Sequence, residues 1–224
     1  MKKQFTILLS FLLMMGMVNL SYGAEKDYNS QKLYKQMRLN NLIDFNAFND
    51  AIEGFNKIKD RKKDIITIID FTKPSTEKRF YVLDLKNQNI LFDSYVAHGK
   101  NSGGLIPTSF SNKVGSLKSS LGFYLTDSTY FGKNGYSLKL DGLEKGINDK
   151  AMERTIVLHG ANYVSEKYAD SVGRLGRSWG CPAIPKTISK SVINTIKDGS
   201  VMFIYGNDKE YAMNSSFIGE DPSA

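Results

Sequence analysis

The chain has 224 residues, and its 30 lysines and arginines against 23 aspartates and glutamates give a net charge of +7. This length fits one domain, and a hydrophobic fraction of 41% is enough for a core, which excludes a disordered chain. One cysteine and two histidines exclude an intramolecular disulfide, a cysteine-based zinc site and an iron–sulfur cluster. We therefore expect neither a metal nor a cofactor.

Residues 1–23 have the pattern of a secretory signal peptide. Lys2 and Lys3 precede an apolar run, and Ser21-Tyr22-Gly23 supplies the small residues of a cleavage site. The run is short for the ~20 residues of a membrane span. We predict cleavage after Gly23, export, and no stable membrane insertion of the mature chain. Export and the absence of long basic runs also argue against nucleic acid as a partner.

Residues 24–62 are predicted to form a short N-terminal helical segment. Apolar residues recur at helical spacing, most clearly at Phe48, Ala51 and Phe55, and this pattern indicates two amphipathic helices. Asn46 is the expected N-cap of the second helix.

After residue 62 the apolar pattern becomes that of strands, and residues 63–206 are predicted to form the main domain. Strands are expected at 65–69, 79–85, 90–97, 122–126, 136–140, 155–159 and 201–205, with one helix at 186–197. Many short strands with glycine-rich turns indicate a mainly β sandwich or barrel with a few helices. Residues 207–224 form a polar tail that we expect to be partly disordered.

Cys181 is the first candidate for chemistry because it lies in a polar loop, Arg177-Ser178-Trp179-Gly180-Cys181-Pro182-Ala183. A glycine before the cysteine allows a sharp turn and a close approach to a substrate. An unpaired thiol is a liability in an oxidising compartment, so the context favours a reactive thiol over a buried structural cysteine. A neutral thiol needs a base or a positive neighbour to act as a nucleophile, and Arg174 and Arg177 are candidates for the positive charge.

A base and an oxyanion site can also be sought in the sequence. His98 and His159 each end a predicted strand and precede a glycine, and His159 follows the more apolar strand. The sequence favours His159 as the base without excluding His98. The backbone N–H groups of Gly180 and Cys181 are candidate oxyanion donors, and the phenol of Tyr136 is a weaker one.

Several motifs together resemble the catalytic domain of the murein L,D-transpeptidases, in the branch with Ser-Trp-Gly-Cys-Pro-Ala instead of Ser-His-Gly-Cys. The resemblance covers about residues 65–205. Its motifs are Ile156-Val157-Leu158-His159-Gly160-Ala161, Gly173-Arg174-Leu175-Gly176-Arg177-Ser178-Trp179-Gly180-Cys181-Pro182-Ala183, and upstream Val96-Ala97-His98-Gly99.

This resemblance implies an L,D-transpeptidase-like β-sandwich and a cysteine acyltransferase of the bacterial cell wall. The cysteine would attack tetrapeptide stems of peptidoglycan, release D-Ala, form a thioester and pass the acyl group to a second stem as a 3→3 cross-link. It further implies inhibition by carbapenems and a periplasmic or cell-wall location. By match to the motif, Cys181 is the nucleophile, His159 the base and the Gly160 carbonyl an orienting group, while Ser178 and Gly180 shape the loop.

The sequence also departs from the commoner family pattern. Trp179 replaces a second histidine, and Ala183 stands where an arginine is expected. Arg174, Arg177, Trp179 and His98 are the candidates for substrate binding. Two alternatives remain open at this point: an L,D-carboxypeptidase with the same cysteine and histidine, or a non-catalytic peptidoglycan-binding protein.

Overall fold

The structure is a computed structural model that describes residues 27–219. The predicted signal peptide lies outside the described residues. The helices are α1 (Ser30–Gln36), α2 (Phe45–Lys57), α3 (Glu166–Val172), α4 (Lys186–Ile196) and α5 (Lys209–Asn214). The strands are β1 (Ile65–Asp70), β2 (Phe80–Asp84), β3 (Asn89–Ser94), β4 (Gly122–Gly132), β5 (Gly135–Gly142), β6 (Val157–Ala161), β7 (Ala183–Pro185) and β8 (Val201–Tyr205).

All eight strands belong to one sheet in the order β3-β2-β1-β8-β4-β5-β6-β7. Ala97 lies just after β3 and exchanges hydrogen bonds of 2.8 and 3.3 Å with Ala183 in β7. The chain that leaves one edge strand thus meets the other edge, so the sheet curls until it is nearly closed. The predicted mainly β fold with a short N-terminal helical segment is confirmed.

The N-terminal helices cover the middle of the sheet. Phe48 and Phe55 of α2 are fully buried, and burying each contributes roughly 1.5–3 kcal/mol. Gly54 is required at this packing face, because a Cβ there would lie 2.1 Å from the Phe123 ring on β4. The predicted N-cap was wrong by two residues: the carboxylate of Asp44, not Asn46, caps the helix and accepts the N–H groups of Asn46 and Ala47.

Two elements that position the candidate site were not predicted. Helix α3 lies between His159 and Cys181 and is capped by Ser165, whose hydroxyl accepts the Tyr168 N–H at 3.2 Å. The three-residue strand β7 begins two residues after Cys181 and pairs in parallel with β6, placing His159 opposite Ala183. This pairing brings the loop that carries Cys181 beside the strand that carries His159.

The tail is more ordered than expected. Residues 209–214 form α5, Tyr211 is buried, and the Ser215 hydroxyl donates to the buried Glu144 carboxylate. This part of the tail is therefore folded onto the domain, and residues 220–224 lie outside the described residues. Within residues 27–219, none of the helices is long and apolar enough to cross a membrane.

Candidate active site

A cleft of about 500 Å³ opens where β6, the 177–181 loop and the loop before β4 meet. Both Cys181 and His159 line it, so two residues 22 positions apart in the sequence share one cavity. Among the described residues, the thiol and the imidazole make no direct hydrogen bond with each other. Such looser geometry is common in substrate-free sites, where hydrogen bonds tighten only when the substrate is bound.

Ser178 holds the loop that carries Cys181. Its hydroxyl donates to the Cys181 carbonyl at 2.6 Å and accepts the Gly180 N–H at 3.1 Å. The Gly180 N–H is therefore already engaged, which removes it from the expected pair of oxyanion donors. The Cys181 N–H has no acceptor outside its own residue among the described residues and remains the available donor.

Gly180 allows three stretches of backbone to converge behind the thiol. Its φ of 125° lies in the region that favours glycine, and a Cβ would lie 2.8 Å from the Lys118 carbonyl oxygen. Gly99 packs from the other side, where a Cβ would lie 2.6 Å from the Leu117 carbonyl and 3.0 Å from Gly180 Cα. Ser119 ties these segments together, because its hydroxyl accepts the Gly99 N–H and donates to the Gly180 carbonyl.

The Cys181 thiol rests against the start of β6. Its Sγ accepts the Val157 N–H at 3.5 Å and donates to the Thr155 carbonyl at 3.7 Å. Burial raises the pKa of the thiol, while the Val157 N–H and the Arg154 charge oppose that rise. The free site therefore holds a neutral thiol, and attack requires a base.

His159 is nearly buried, and its ring is oriented by its own strand. Nδ1 lies 3.2 Å from the Gly160 carbonyl oxygen. Because a carbonyl can only accept, Nδ1 carries the proton, and Nε2 is left with the lone pair of a base. Burial lowers the pKa of the imidazole, and the Gly160 hydrogen bond partly offsets this, so the ring is neutral near pH 7.

The other predicted substrate-binding residues divide into two groups. Arg177 and Trp179 line the cleft, and Trp179 is 70% exposed at its rim. Arg174 does not line it, and its guanidinium donates instead to the Leu175 carbonyl at 2.8 Å. Tyr136, which was predicted as a weaker oxyanion donor, does not line the cleft either, and its phenol donates to the Asn194 side chain of α4 at 2.8 Å.

His98 is buried behind the site and does not line the cleft. Its Nδ1 lies 2.9 Å from Arg79 Nη2, and its Nε2 lies 3.3 Å from the Gly103 carbonyl oxygen. Arginine only donates, so Nε2 carries the proton and the ring is neutral. Burial and the Arg79 charge lower the pKa of His98 to about 4. The His98 carbonyl accepts the Ser178 N–H at 2.9 Å, so its contribution to the site is to support the loop.

Several cleft residues were not identified from the sequence, among them Arg154 and Tyr163. Arg154 lines the cleft three residues before β6 begins, and Tyr163 lines it two residues after β6 ends. Burial, together with the charge of an ionised Cys181, raises the pKa of Tyr163 to about 12, so its phenol stays protonated. A signal existed for Arg154, since it directly precedes the strand that carries His159. Within residues 27–219, no group of three or more metal-ligating side chains is arranged to hold an ion.

A family model for the L,D-transpeptidase catalytic domain matches residues 39–205. A search of curated proteins found no match. An L,D-transpeptidase structure from Mycobacterium smegmatis is 10% identical, with 64% of this chain and 59% of that chain covered and a TM-score of 0.40. An L,D-transpeptidase structure from Stackebrandtia nassauensis is 15% identical, with 80% of this chain and 77% of that chain covered and a TM-score of 0.39.

A third solved structure is that of LdtMt1 in complex with imipenem. It is 14% identical, the match spans 63% of this chain and 59% of LdtMt1, and the TM-score is 0.38. This chain spans about three fifths of the length of LdtMt1 and of the M. smegmatis protein. The family model covers most of the chain, and its match begins before α2, so it includes most of the N-terminal helical segment and all of the cleft. The chain therefore belongs to the L,D-transpeptidase catalytic domain family.

Proposed function

We propose that this protein is a peptidoglycan L,D-transpeptidase in which Cys181 forms a thioester with a tetrapeptide stem. The observation that supports this most is the shared cleft of Cys181 and His159, with Nδ1 of the imidazole directed at the Gly160 carbonyl. That arrangement leaves Nε2 as the only ring nitrogen that can accept the thiol proton.

In the acylation step, Nε2 takes the proton of the Cys181 thiol as sulfur attacks the carbonyl carbon of the bond to the terminal D-Ala. A tetrahedral oxyanion forms, and the Cys181 N–H is the donor available to it. The C–N bond then breaks, the amine of D-Ala leaves with the proton from His159, and the stem remains as a thioester.

In the second step an amine of another stem attacks the thioester, and His159 takes its proton. The C–S bond breaks, the sulfur leaves as a thiolate and is reprotonated by His159, and a 3→3 cross-link is released. Water in place of the amine gives a tripeptide, which is the carboxypeptidase outcome of the same site. The cations Arg177 and Lys133 and the exposed Trp179 line the cleft and are proposed to contact the stems.

The proposed activity is tested with isolated murein that contains tetrapeptide stems. Wild-type protein is expected to release D-Ala and produce 3→3 dimers, whereas Cys181→Ala is expected to do neither. Tripeptides without dimers would assign the carboxypeptidase reaction instead. Processing by Cys181→Ala would contradict Cys181 as the nucleophile, and no processing by the wild type would favour a non-catalytic binding protein.

We further propose that the mature chain is exported and acts in the periplasm or cell wall, with carbapenems as inhibitors of the thiol. The N-terminal pattern of residues 1–23 and the family membership support this location.

A further inference from the structure

Arg154 is a cleft residue whose side chain is almost wholly committed to one neighbouring loop. We name residues 111–119 the wall loop, since Val114, Gly115 and Leu117 form one side of the cleft. Its two ends meet, because the Ser111 N–H donates to the Ser119 carbonyl at 3.0 Å.

The guanidinium of Arg154 contacts both arms of the wall loop. Nη1 donates to the Ser111 carbonyl at 2.7 Å and to the Ser120 hydroxyl at 3.0 Å. Nη2 donates to the Ser116 hydroxyl at 3.4 Å and to the Lys118 carbonyl. A planar fork with five N–H groups can hold both arms at once, which a lysine ammonium on a flexible stem cannot do.

The same guanidinium lies beside the loop that carries Cys181. A Cβ on Gly180 would be 3.3 Å from Arg154 Nη2, and the carbonyl of Thr155, the next residue, accepts the thiol. No carboxylate of the described residues forms a salt bridge with Arg154, so its charge is not neutralised locally. Of the two arginines predicted from the sequence, Arg174 lies outside the cleft and donates to the Leu175 carbonyl. Arg177 lines the cleft, and its guanidinium donates to the carbonyls of Lys100 and Gly103.

We propose that Arg154 is a positioning residue with two linked effects: its charge stabilises the Cys181 thiolate, and its fork fixes the wall loop beside that thiolate. This proposal rests on the proposed function of Cys181. When His159 takes the thiol proton, negative charge develops in a partly desolvated cleft, where a nearby cation has a larger effect than in water. The same charge stabilises the sulfur when it leaves in the second step.

The effect of charge is tested by the pH dependence of alkylation by iodoacetamide, which reports Cys181 alone because the chain has one cysteine. Arg154→Gln is expected to lower the thiolate fraction at neutral pH about tenfold, a shift of one pKa unit. Arg154→Lys keeps the charge and is expected to stay near the wild type. Arg174→Gln removes a positive charge outside the cleft and is the matched control. An unchanged profile in Arg154→Gln, or an equal shift in Arg174→Gln, would overturn this part.

A second measurement needs no variant and covers the case in which Arg154→Gln does not fold. The wild-type ratio of alkylation rates with anionic iodoacetate and neutral iodoacetamide is compared with that of free cysteine. A cation beside the thiol is expected to raise the ratio, and a ratio at or below that of free cysteine would overturn the charge effect.

The effect on the wall loop is tested by hydrogen exchange. Residues 111–119 are expected to exchange faster in both Arg154→Lys and Arg154→Gln, and at the wild-type rate in Arg174→Gln. Unchanged exchange in both Arg154 variants would refute this part. None of these readouts requires turnover of murein, so failure of the proposal is distinguishable from failure of the proposed function, which the Cys181→Ala assay reports.

Discussion

The side chain of Arg79 donates a 2.9 Å hydrogen bond to Nδ1 of His98, and both residues are almost completely buried. Arg79 also donates to the carbonyls of Val96 and Lys73, and the charge of Asp70 supports its protonated form. The neutral ring of His98 therefore completes a buried polar cluster below the loop that carries Cys181. Protonation of the ring would turn the Arg79 contact into a repulsion between two cations.

This cluster makes stability depend on pH. The pKa of His98 is about 4 in the folded chain and about 6.5 in the unfolded chain, so between these values the unfolded state binds more protons. Stability is therefore expected to decrease by about 3 kcal/mol as pH falls from 6.5 to 4. Chemical denaturation of wild type and His98→Gln over this range isolates the effect, since glutamine does not titrate.

The quantity to compare is the difference in unfolding free energy between wild type and His98→Gln, because Asp50 changes stability with pH in the opposite direction to His98. Burial raises the pKa of Asp50 to about 6, which adds stability as pH falls, and this effect cancels in the comparison. A difference in unfolding free energy that stays constant from pH 7 to pH 4 would contradict the described role of His98.

The pH profile of acylation tests His159 as the base. Only the neutral imidazole can take the thiol proton, and burial holds its pKa below the ordinary 6.5. The second-order rate of acylation by a carbapenem is therefore expected to stay high as pH falls through 6.5 and to decline only below it. The same decline at low pH is expected in His98→Gln. A decline whose midpoint lies at or above pH 6.5, or one that disappears in His98→Gln, would argue against His159 as the base.

Gly180 is predicted to be irreplaceable for reasons of space as well as conformation. Gly180→Ala would place a Cβ 2.8 Å from the Lys118 carbonyl and force a positive φ on alanine. Gly146→Ala is the matched control, because Gly146 also has a positive φ but nothing lies within 4 Å of its added Cβ. We expect a loss of about 1 kcal/mol in the control and about 2–4 kcal/mol in Gly180→Ala, with acylation slowed at least about tenfold. The two variants are compared by thermal unfolding and by the rate of acylation. If Gly180→Ala and Gly146→Ala had equal effects in both measurements, the crowded geometry at Gly180 would be contradicted.

Export is tested by the N-terminus of the protein recovered from outside the cytoplasm. The pattern of residues 1–23 predicts a mature chain that begins at Ala24. Intact-mass measurement of the recovered protein gives this directly. A protein that retains Met1 in the membrane fraction would indicate an uncleaved anchor.

Elements whose structure depends on a local sequence pattern could be predicted from the sequence. The buried run at β1 and the helix α4 followed from apolar spacing, and the polar Gly-Cys-Pro loop around Cys181 pointed to the cleft. Helix α3 was missed because it has only seven residues and buries only Ala169, so it has almost no apolar face to detect.

Contacts between distant segments could not be predicted in the same way. His98 and His159 have the same local sequence context, a predicted strand end before a glycine. In the structure His159 is the middle residue of β6, whereas His98 lies after β3, where its ring packs against Arg79 outside the cleft. The positive charge near Cys181 was sought at Arg174 and Arg177 because they are close in sequence. Arg154 lies 27 residues earlier, and the pairing of β6 with β7 brings it beside the loop that carries the thiol.

The central claim is that Cys181 is an acylated nucleophile, and intact-mass spectrometry with a carbapenem tests it most directly. Wild-type protein is expected to gain the mass of one carbapenem, located by proteolysis on the peptide that contains Cys181. Cys181→Ala is expected to gain none. An unmodified wild type, or an equal adduct on Cys181→Ala, would contradict the proposed thioester chemistry.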